Sequence, residues 1–290
     1  MKKLLRKVAV RAAGMLVVAV LAGCCSCGAG SATGPKFSVF ANGMDRVAKQ
    51  RGVTLERAAE MLAAEGVTGF DWGYSDKKLE RYAQTVLKPV NLYGFISFNG
   101  PDRGEKECEA FVATAVRYGV PRIMCIPNAF PDGVESEADY ALMRDGLARL
   151  VALAEKKGIA VSVEDFGNPK NPCSQAKYLK RFLQDIPGLR FTADSGNLYY
   201  AGRGEDICEM ARFARDRIIH VHLKDQEKEN NRRYTTLGLG GVPNEELVKF
   251  MEKDGYKDWY TLENPIGGDY LADVVRQIAV VRLWCRDAQK

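Results

Sequence analysis

The chain is poor in histidine: its 290 residues hold two, His220 and His222. Any chemistry that needs imidazole must draw on these, and both lie in one short segment. Long apolar runs are missing where a membrane span would need one. Residues 12–21 form an apolar stretch only about half as long as the ~20 residues required to cross a bilayer. Cysteine is thin outside the N-terminus. Cys24, Cys25 and Cys27 cluster there, whereas Cys108, Cys125, Cys173, Cys208 and Cys285 are scattered, odd in number and without metal-ligand spacing. The scattered ones read as packed thiols rather than a disulfide framework, although one pair is compatible with an oxidising compartment. A charge surplus is lacking too. The formal net charge of +5 equals the five basic residues Lys2, Lys3, Arg6, Lys7 and Arg11, so the remainder is near neutral. A nucleic-acid or polyanion partner gains no electrostatic support from such a chain.

What is present is a pattern of polar residues at the ends of apolar runs. His220 and His222 alternate within Ile218-Ile219-His220-Val221-His222-Leu223-Lys224-Asp225. Side chains two apart on a strand share a side, so both imidazoles and Lys224 face one environment. Taken alone, this is equally a strand with an exposed polar end, and Lys224 with Asp225 a rim ion pair worth little. Three other runs, however, end in an acid: Val161-Ser162-Val163-Glu164, Phe191-Thr192-Ala193-Asp194 and Trp259-Tyr260-Thr261-Leu262-Glu263. Each acid has an ordinary explanation: a surface position for Glu164, a turn through Ser195-Gly196 for Asp194, a rim salt bridge for Glu263. Together, three carboxylates and an imidazole at the ends of four successive strands describe a divalent-metal site.

From Lys36 onward, short β-rich runs alternate with helical patterns. Candidate strands are 37–40, 67–72, 91–97, 122–126, 160–164, 190–194, 218–223 and 259–263. Amphipathic helices are predicted between them, for example over 55–65 and 138–156, the latter capped by Ser136 with Asp139. Pro243 suits a first helical turn. Gly66, Gly119, Gly158 and Gly255 stand where a helix should end and the next strand begin. Eight β-then-α units favour an α/β fold of the closed (β/α)8 TIM-barrel kind, one domain over residues 36–290, whose functional side chains converge at the carboxyl ends of the strands. Ahead of it, residues 1–23 combine a basic segment, an apolar segment and Leu21-Ala22-Gly23-Cys24, a pattern that resembles a bacterial lipoprotein signal. Cleavage before Cys24 and its acylation would leave a lipid-anchored protein of the cell envelope, periplasmic or outer-membrane, with residues 24–35 as a flexible tether.

Four motifs carry a further resemblance: Val163-Glu164-Asp165, Asp194-Ser195-Gly196-Asn197, His220 to Asp225, and Gly238-Leu239-Gly240-Gly241-Val242 followed by Gly255-Tyr256 and Thr261-Leu262-Glu263. In this order and spacing, residues 36–287 resemble the sugar phosphate isomerase/epimerase superfamily. These are the xylose isomerase-like TIM barrels, which include inosose dehydratases, hydroxypyruvate isomerases and ketose 3-epimerases. The resemblance implies that Glu164, Asp194, His222 and Glu263 bind one divalent cation. A set so rich in oxygen favours Mn²⁺, Mg²⁺ or Co²⁺, with Zn²⁺ still compatible. Apurinic endonucleases of the same superfamily hold trinuclear zinc clusters with many histidines, which two histidines cannot build. Many relatives read Asp-x-x-His where this chain has Asn197, and an amide cannot carry a proton near neutral pH.

The resemblance further implies that Glu164 and Glu263 form an acid–base pair on a sugar carbon. Lys224, Asn197 and His220 are expected on the substrate side, His220 more as a support for a ligand than as a ligand itself. Trp72, Phe98, Phe130 and Tyr199, and the amides of Asn128 and Asn168, are further candidates for contact with a carbohydrate, although aromatics beside strands are more often core. The expected activity is a metal-dependent isomerase or epimerase that acts through an enediolate on a non-phosphorylated sugar or keto-sugar. A lyase or dehydratase on a keto-sugar or keto-glycoside, and a noncatalytic carbohydrate-binding lipoprotein, are the alternatives. The expected partners are a small-molecule carbohydrate and, through the lipid alone, a membrane; an oligomer is left open.

Overall fold

The computed structural model describes residues 34–75, 77–202, 206–264 and 267–290. The expected signal, Cys24 and nearly all of the tether lie outside them. Residues Pro35–Lys290 form one compact unit. Its strands are β1 (Lys36–Phe40), β2 (Val67–Gly73), β3 (Lys88–Ile96), β4 (Arg122–Pro127), β5 (Ala160–Glu164), β6 (Arg190–Asp194), β7 (Ile218–Leu223) and β8 (Trp259–Leu262). Each pairs in parallel with the next, and β8 pairs with β1, which closes the barrel. The β5, β6 and β7 spans coincide with those expected. β3 begins three residues earlier than expected, at Lys88, because Gly69 and Phe70 of β2 pair with Lys88 and Pro89.

Alternation along the strands sorts the side chains. Val39, Val161, Val163, Phe191, Ala193, Val221, Leu223, Tyr260 and Leu262 belong to the apolar core. Their neighbours in sequence, Ser38, Ser162, Glu164, Thr192, Asp194, His220, His222 and Thr261, are buried polar residues. The second set points inward, where the hydroxyls of Ser38 and Thr261 meet at 2.7 Å and those of Ser162 and Thr192 at 2.8 Å. The barrel interior is thus polar and hydrogen-bonded. At the amino-terminal end, Arg122 bonds the Ile219 carbonyl and the Asp258 carboxylate.

Local rules place the helices. The Ser136 hydroxyl accepts the amide of Asp139 at the start of Glu137–Glu155, as expected, and Thr54 does the same for Arg57. Gly66, Gly119, Gly158 and Gly255 all take positive φ, between 64° and 102°, at the junctions assigned to them. Pro243 stands just before the helix Asn244–Lys253 rather than in its first turn. Cys108, Cys125, Cys173, Cys208 and Cys285 are all buried and free, as packed thiols should be.

Candidate metal centre

The carboxyl ends of β5, β6 and β7, with the residue after β8, bring Glu164, Asp194, His222 and Glu263 together. One ligand atom from each lies within 4.8 Å of the other three. Glu263 keeps its place beyond the strand because its amide bonds the Leu223 carbonyl. His222 Nδ1 lies 2.6 Å from Glu164 Oε1, 3.2 Å from Glu263 Oε2 and 3.9 Å from Asp194 Oδ2. Yet Glu164 Oε1 and His222 Nδ1 make no hydrogen bond although both are buried, and Asp194 Oδ2, equally buried, is met by the Lys224 ammonium. Buried polar atoms are nearly always partnered, and leaving one bare costs about 1–3 kcal/mol. Lone pairs that converge without satisfying one another fit a shared cation, so the residues present suit the divalent ion expected of them.

Electrostatics point the same way. Burial pushes Asp194 up to about 7 despite the opposing charge of Lys224, and it raises Glu164 despite the opposing charge of His222. Asp165, buried beside them, is raised well above the carboxylate range by burial and by the charges of Asp194 and Glu164. Desolvation also works on Glu263, but Lys224 and His222 outweigh it and hold this acid down to about 2.

Asp194 makes the turn expected of it. Its Oδ1 accepts the amides of Gly196 and Asn197 in a turn, which leaves Oδ2 for the cluster. Lys224 Nζ bridges Asp194 Oδ2 at 3.0 Å and Glu263 Oε1 at 3.1 Å. Both ends of the Asn197 amide are engaged, Nδ2 by the Asp165 carbonyl at 2.7 Å and Oδ1 by Lys224 at 3.4 Å. Asp225 turns away from Lys224 and accepts the backbone amides of Gln226, Gly238, Gly240 and Val242, so it is no rim ion pair.

Above the cluster opens a cavity of about 330 Å³. Glu164, Glu263, Lys224 and Asn197 line it, as do Asn42, Arg46 and Asn264, with Phe40, Tyr93, Phe95 and Phe166 on the apolar side. His220 is not among the lining residues. It is fully buried beneath the cluster, bonded to Asp71 and Thr261, which corrects its expected place on the substrate side. Trp72, Phe98 and Phe130 are core residues: Trp72 packs on Tyr82 and Phe130 on Tyr178. Tyr199, Asn128 and Asn168 also lie off the cavity wall. Of the aromatics that do line it, Phe40, Tyr93 and Phe95 sit at inward positions of β1 and β3, Phe166 just after β5 and Tyr270 at the start of the last helix, where sequence alone offers no mark to tell them from core. Asp71 was likewise missed: it lies within β2, not at an acid-terminated strand end.

Comparison with known proteins accords with this geometry. The profile of a family described as the xylose isomerase-like TIM barrel matches residues 41–282. Over 147 residues the chain is 29% identical to an inosose dehydratase of Histophilus somni, an alignment covering 44% of this chain and 48% of that enzyme. The chain thus spans about half the length of that relative. An L-ribulose 3-epimerase structure superposes with a TM-score of 0.71 at 15% identity, covering 88% of this chain and 96% of the other. A structure of the IolI protein with a bound zinc atom superposes with a TM-score of 0.65 at 15% identity, over 88% and 96% of the two chains.

Proposed function

The chain belongs to the xylose isomerase-like TIM-barrel family, and on that premise we propose that it is a divalent-metal-dependent isomerase or epimerase of a non-phosphorylated sugar or keto-sugar. The observation that carries this reading is the convergence of buried ligand atoms, Glu164 Oε1 and His222 Nδ1 without a hydrogen bond and Asp194 Oδ2 beside Lys224, at the floor of a cavity that two glutamates line. The volume lies at the small end of the range of ligand sites, about 300–1,000 Å³, and suits a monosaccharide-sized group. Phe40, Tyr93, Phe95 and Phe166 offer an apolar wall to the C–H face of a sugar, and Asn42, Arg46 and Asn264 offer polar groups to its hydroxyls. The secretory pattern of residues 1–23 supports a substrate met outside the cytoplasm, where phosphorylated sugars are scarce.

When bound, a divalent cation supplies Lewis acidity toward a carbonyl and its neighbouring hydroxyl. The chain supplies the proton transfers. One of Glu164 and Glu263 takes the proton from the carbon next to the carbonyl, which leaves an enediolate, and the other returns a proton. Return to the opposite face of the same carbon gives the epimer; return to the neighbouring carbon gives the aldose–ketose isomer. Lys224, held between Asp194 and Glu263, keeps the Glu263 carboxylate ionised and oriented.

A lyase or dehydratase reading is favoured by a specific observation: the Asn197 amide is hydrogen-bonded at both ends and does not titrate near neutral pH, so it supplies no acid or base to an isomerase cycle. The inosose dehydratase relative agrees with it. Incubation of the Mn²⁺-loaded protein in D₂O with keto-sugars and keto-glycosides separates the readings. Deuterium uptake with rearrangement is the expected result. Uptake with loss of water or an alcohol would establish the lyase, and neither across the panel would leave a binding protein.

A further inference from the structure

Beneath the proposed cation site, Asp71 of β2 is buried to 0% exposure. Its Oδ2 is 2.7 Å from Asn91 Nδ2, 2.9 Å from His220 Nε2 and 3.2 Å from His222 Nε2, and its Oδ1 accepts the Thr261 hydroxyl at 2.9 Å. β2 and β7 are not neighbours in the sheet, so the contacts to the histidines cross the barrel interior. Asp71, His220 and His222 are close enough to count as a ligand group of their own. Both oxygens of Asp71 are nevertheless engaged by donors, unlike Glu164 Oε1 in the cluster above. The Asp71 carboxylate is the hub of a hydrogen-bond network, at whose edge Asn91 Oδ1 and His220 Nδ1 make no hydrogen bond.

An ionised carboxylate only accepts hydrogen bonds, so the ring nitrogen of His222 that faces Asp71 carries the hydrogen. The remaining nitrogen, Nδ1, is the atom that meets Glu164 Oε1 and Glu263 Oε2, and with a cation held among them it is the one left to give up its hydrogen and offer a lone pair. We infer that Asp71 is the positioning residue of the cation site: it holds His222 Nε2–H and thereby presents Nδ1 to the metal. His220 and Thr261 brace the carboxylate, the hydroxyl of Thr261 lying 2.8 Å from His220 Nε2. The inference rests on reading Glu164, Asp194, His222 and Glu263 as the cation's ligands. Carboxylates that orient a metal-bound histidine typically change metal affinity or activity about 10–100-fold when replaced.

The test uses the full chain with 15N-labelled histidine and bound 113Cd, read by NMR. Coupling of cadmium to Nδ1 of His222, with hydrogen on Nε2, is expected. Coupling to Nε2 overturns the inference while leaving the cation site standing, whereas no coupling to either histidine overturns both. A second measurement is Mn²⁺ titration by calorimetry of Asp71→Asn. Affinity about 10–100-fold weaker, with circular dichroism unchanged, is expected, and affinity equal to the parent's in a folded variant overturns the inference. The NMR readout on the unmutated protein decides the matter even if Asp71→Asn does not fold.

Discussion

At the scale of single residues, the two glutamates carry the most exposed claim. If Glu164 and Glu263 move protons as well as bind the cation, Glu→Gln at either position removes general acid–base catalysis, a loss of about 10²–10⁴-fold in kcat at saturating metal. The amide oxygen still coordinates, so calorimetry at high Mn²⁺ separates occupancy from turnover, and near-native kcat in both metal-filled variants would sink the proton-transfer role. His222→Ala should lose bound metal on dialysis, whereas His220→Ala, one layer lower, should retain part of it. Equal metal in His222→Ala and the parent would count against the ligand assignment. Glu164, Asp194, His222 and Glu263 were legible because all four obey one rule: a polar residue at an inward position at or just past the carboxyl end of a strand. Asp71 obeys no such rule. Its meaning lies in contacts with His220 and His222 about 150 residues away, which no local pattern encodes. Asn42, Arg46 and Asn264 escaped notice for a similar reason, since a polar residue near a helix or strand end is ordinary until the cavity shows what it faces.

At the scale of elements, the strands were legible almost to the residue, because alternation and the glycine junctions punctuate the chain so regularly. The segment after β7 was not. Its glycines were visible as a motif, but their purpose is the carboxylate of Asp225, which gathers the amides of Gly238, Gly240 and Val242 at 2.9–3.2 Å. A Cβ at Gly240 would lie 2.1 Å from both Asp225 Oδ1 and the Gln226 carbonyl, so only glycine fits there. Asp225→Ala leaves those amides without their acceptor, each worth about 1–3 kcal/mol if it stays buried. Hydrogen–deuterium exchange should therefore rise by an order of magnitude or more across residues 236–242 in Asp225→Ala and in Gly240→Ala. Strands β1 to β6 should exchange as before. Unchanged exchange in that segment would mean the carboxylate does not hold it.

At the scale of the whole molecule, two properties depend on parts that the barrel does not explain by itself. One is location. We propose lipidation at Cys24, so Cys24→Ser expressed in a Gram-negative host should leave the detergent phase on partitioning; unchanged partitioning would refute the anchor. The other is the charge balance of the interior. Asp71, Glu164, Asp165, Asp194 and Glu263 are gathered at the barrel mouth with Lys224 and the two histidines, Arg46 lines the same cavity, and Glu164 Oε1 and His222 Nδ1 make no hydrogen bond. A cation that binds this folded arrangement and not the unfolded chain stabilises it by about 2.7 kcal/mol at a hundredfold excess over Kd. For a domain of this size, 1 kcal/mol moves Tm by roughly 2–4 °C. Saturating Mn²⁺ or Zn²⁺ should therefore raise Tm by about 5–11 °C over the chelated protein, and His222→Ala should abolish the rise. An equal concentration of Na⁺ should not reproduce it, because screening acts weakly on buried charges. Identical melting curves with chelator and with saturating metal would show that the converging lone pairs hold no ion, and the enzymatic reading would fall with them.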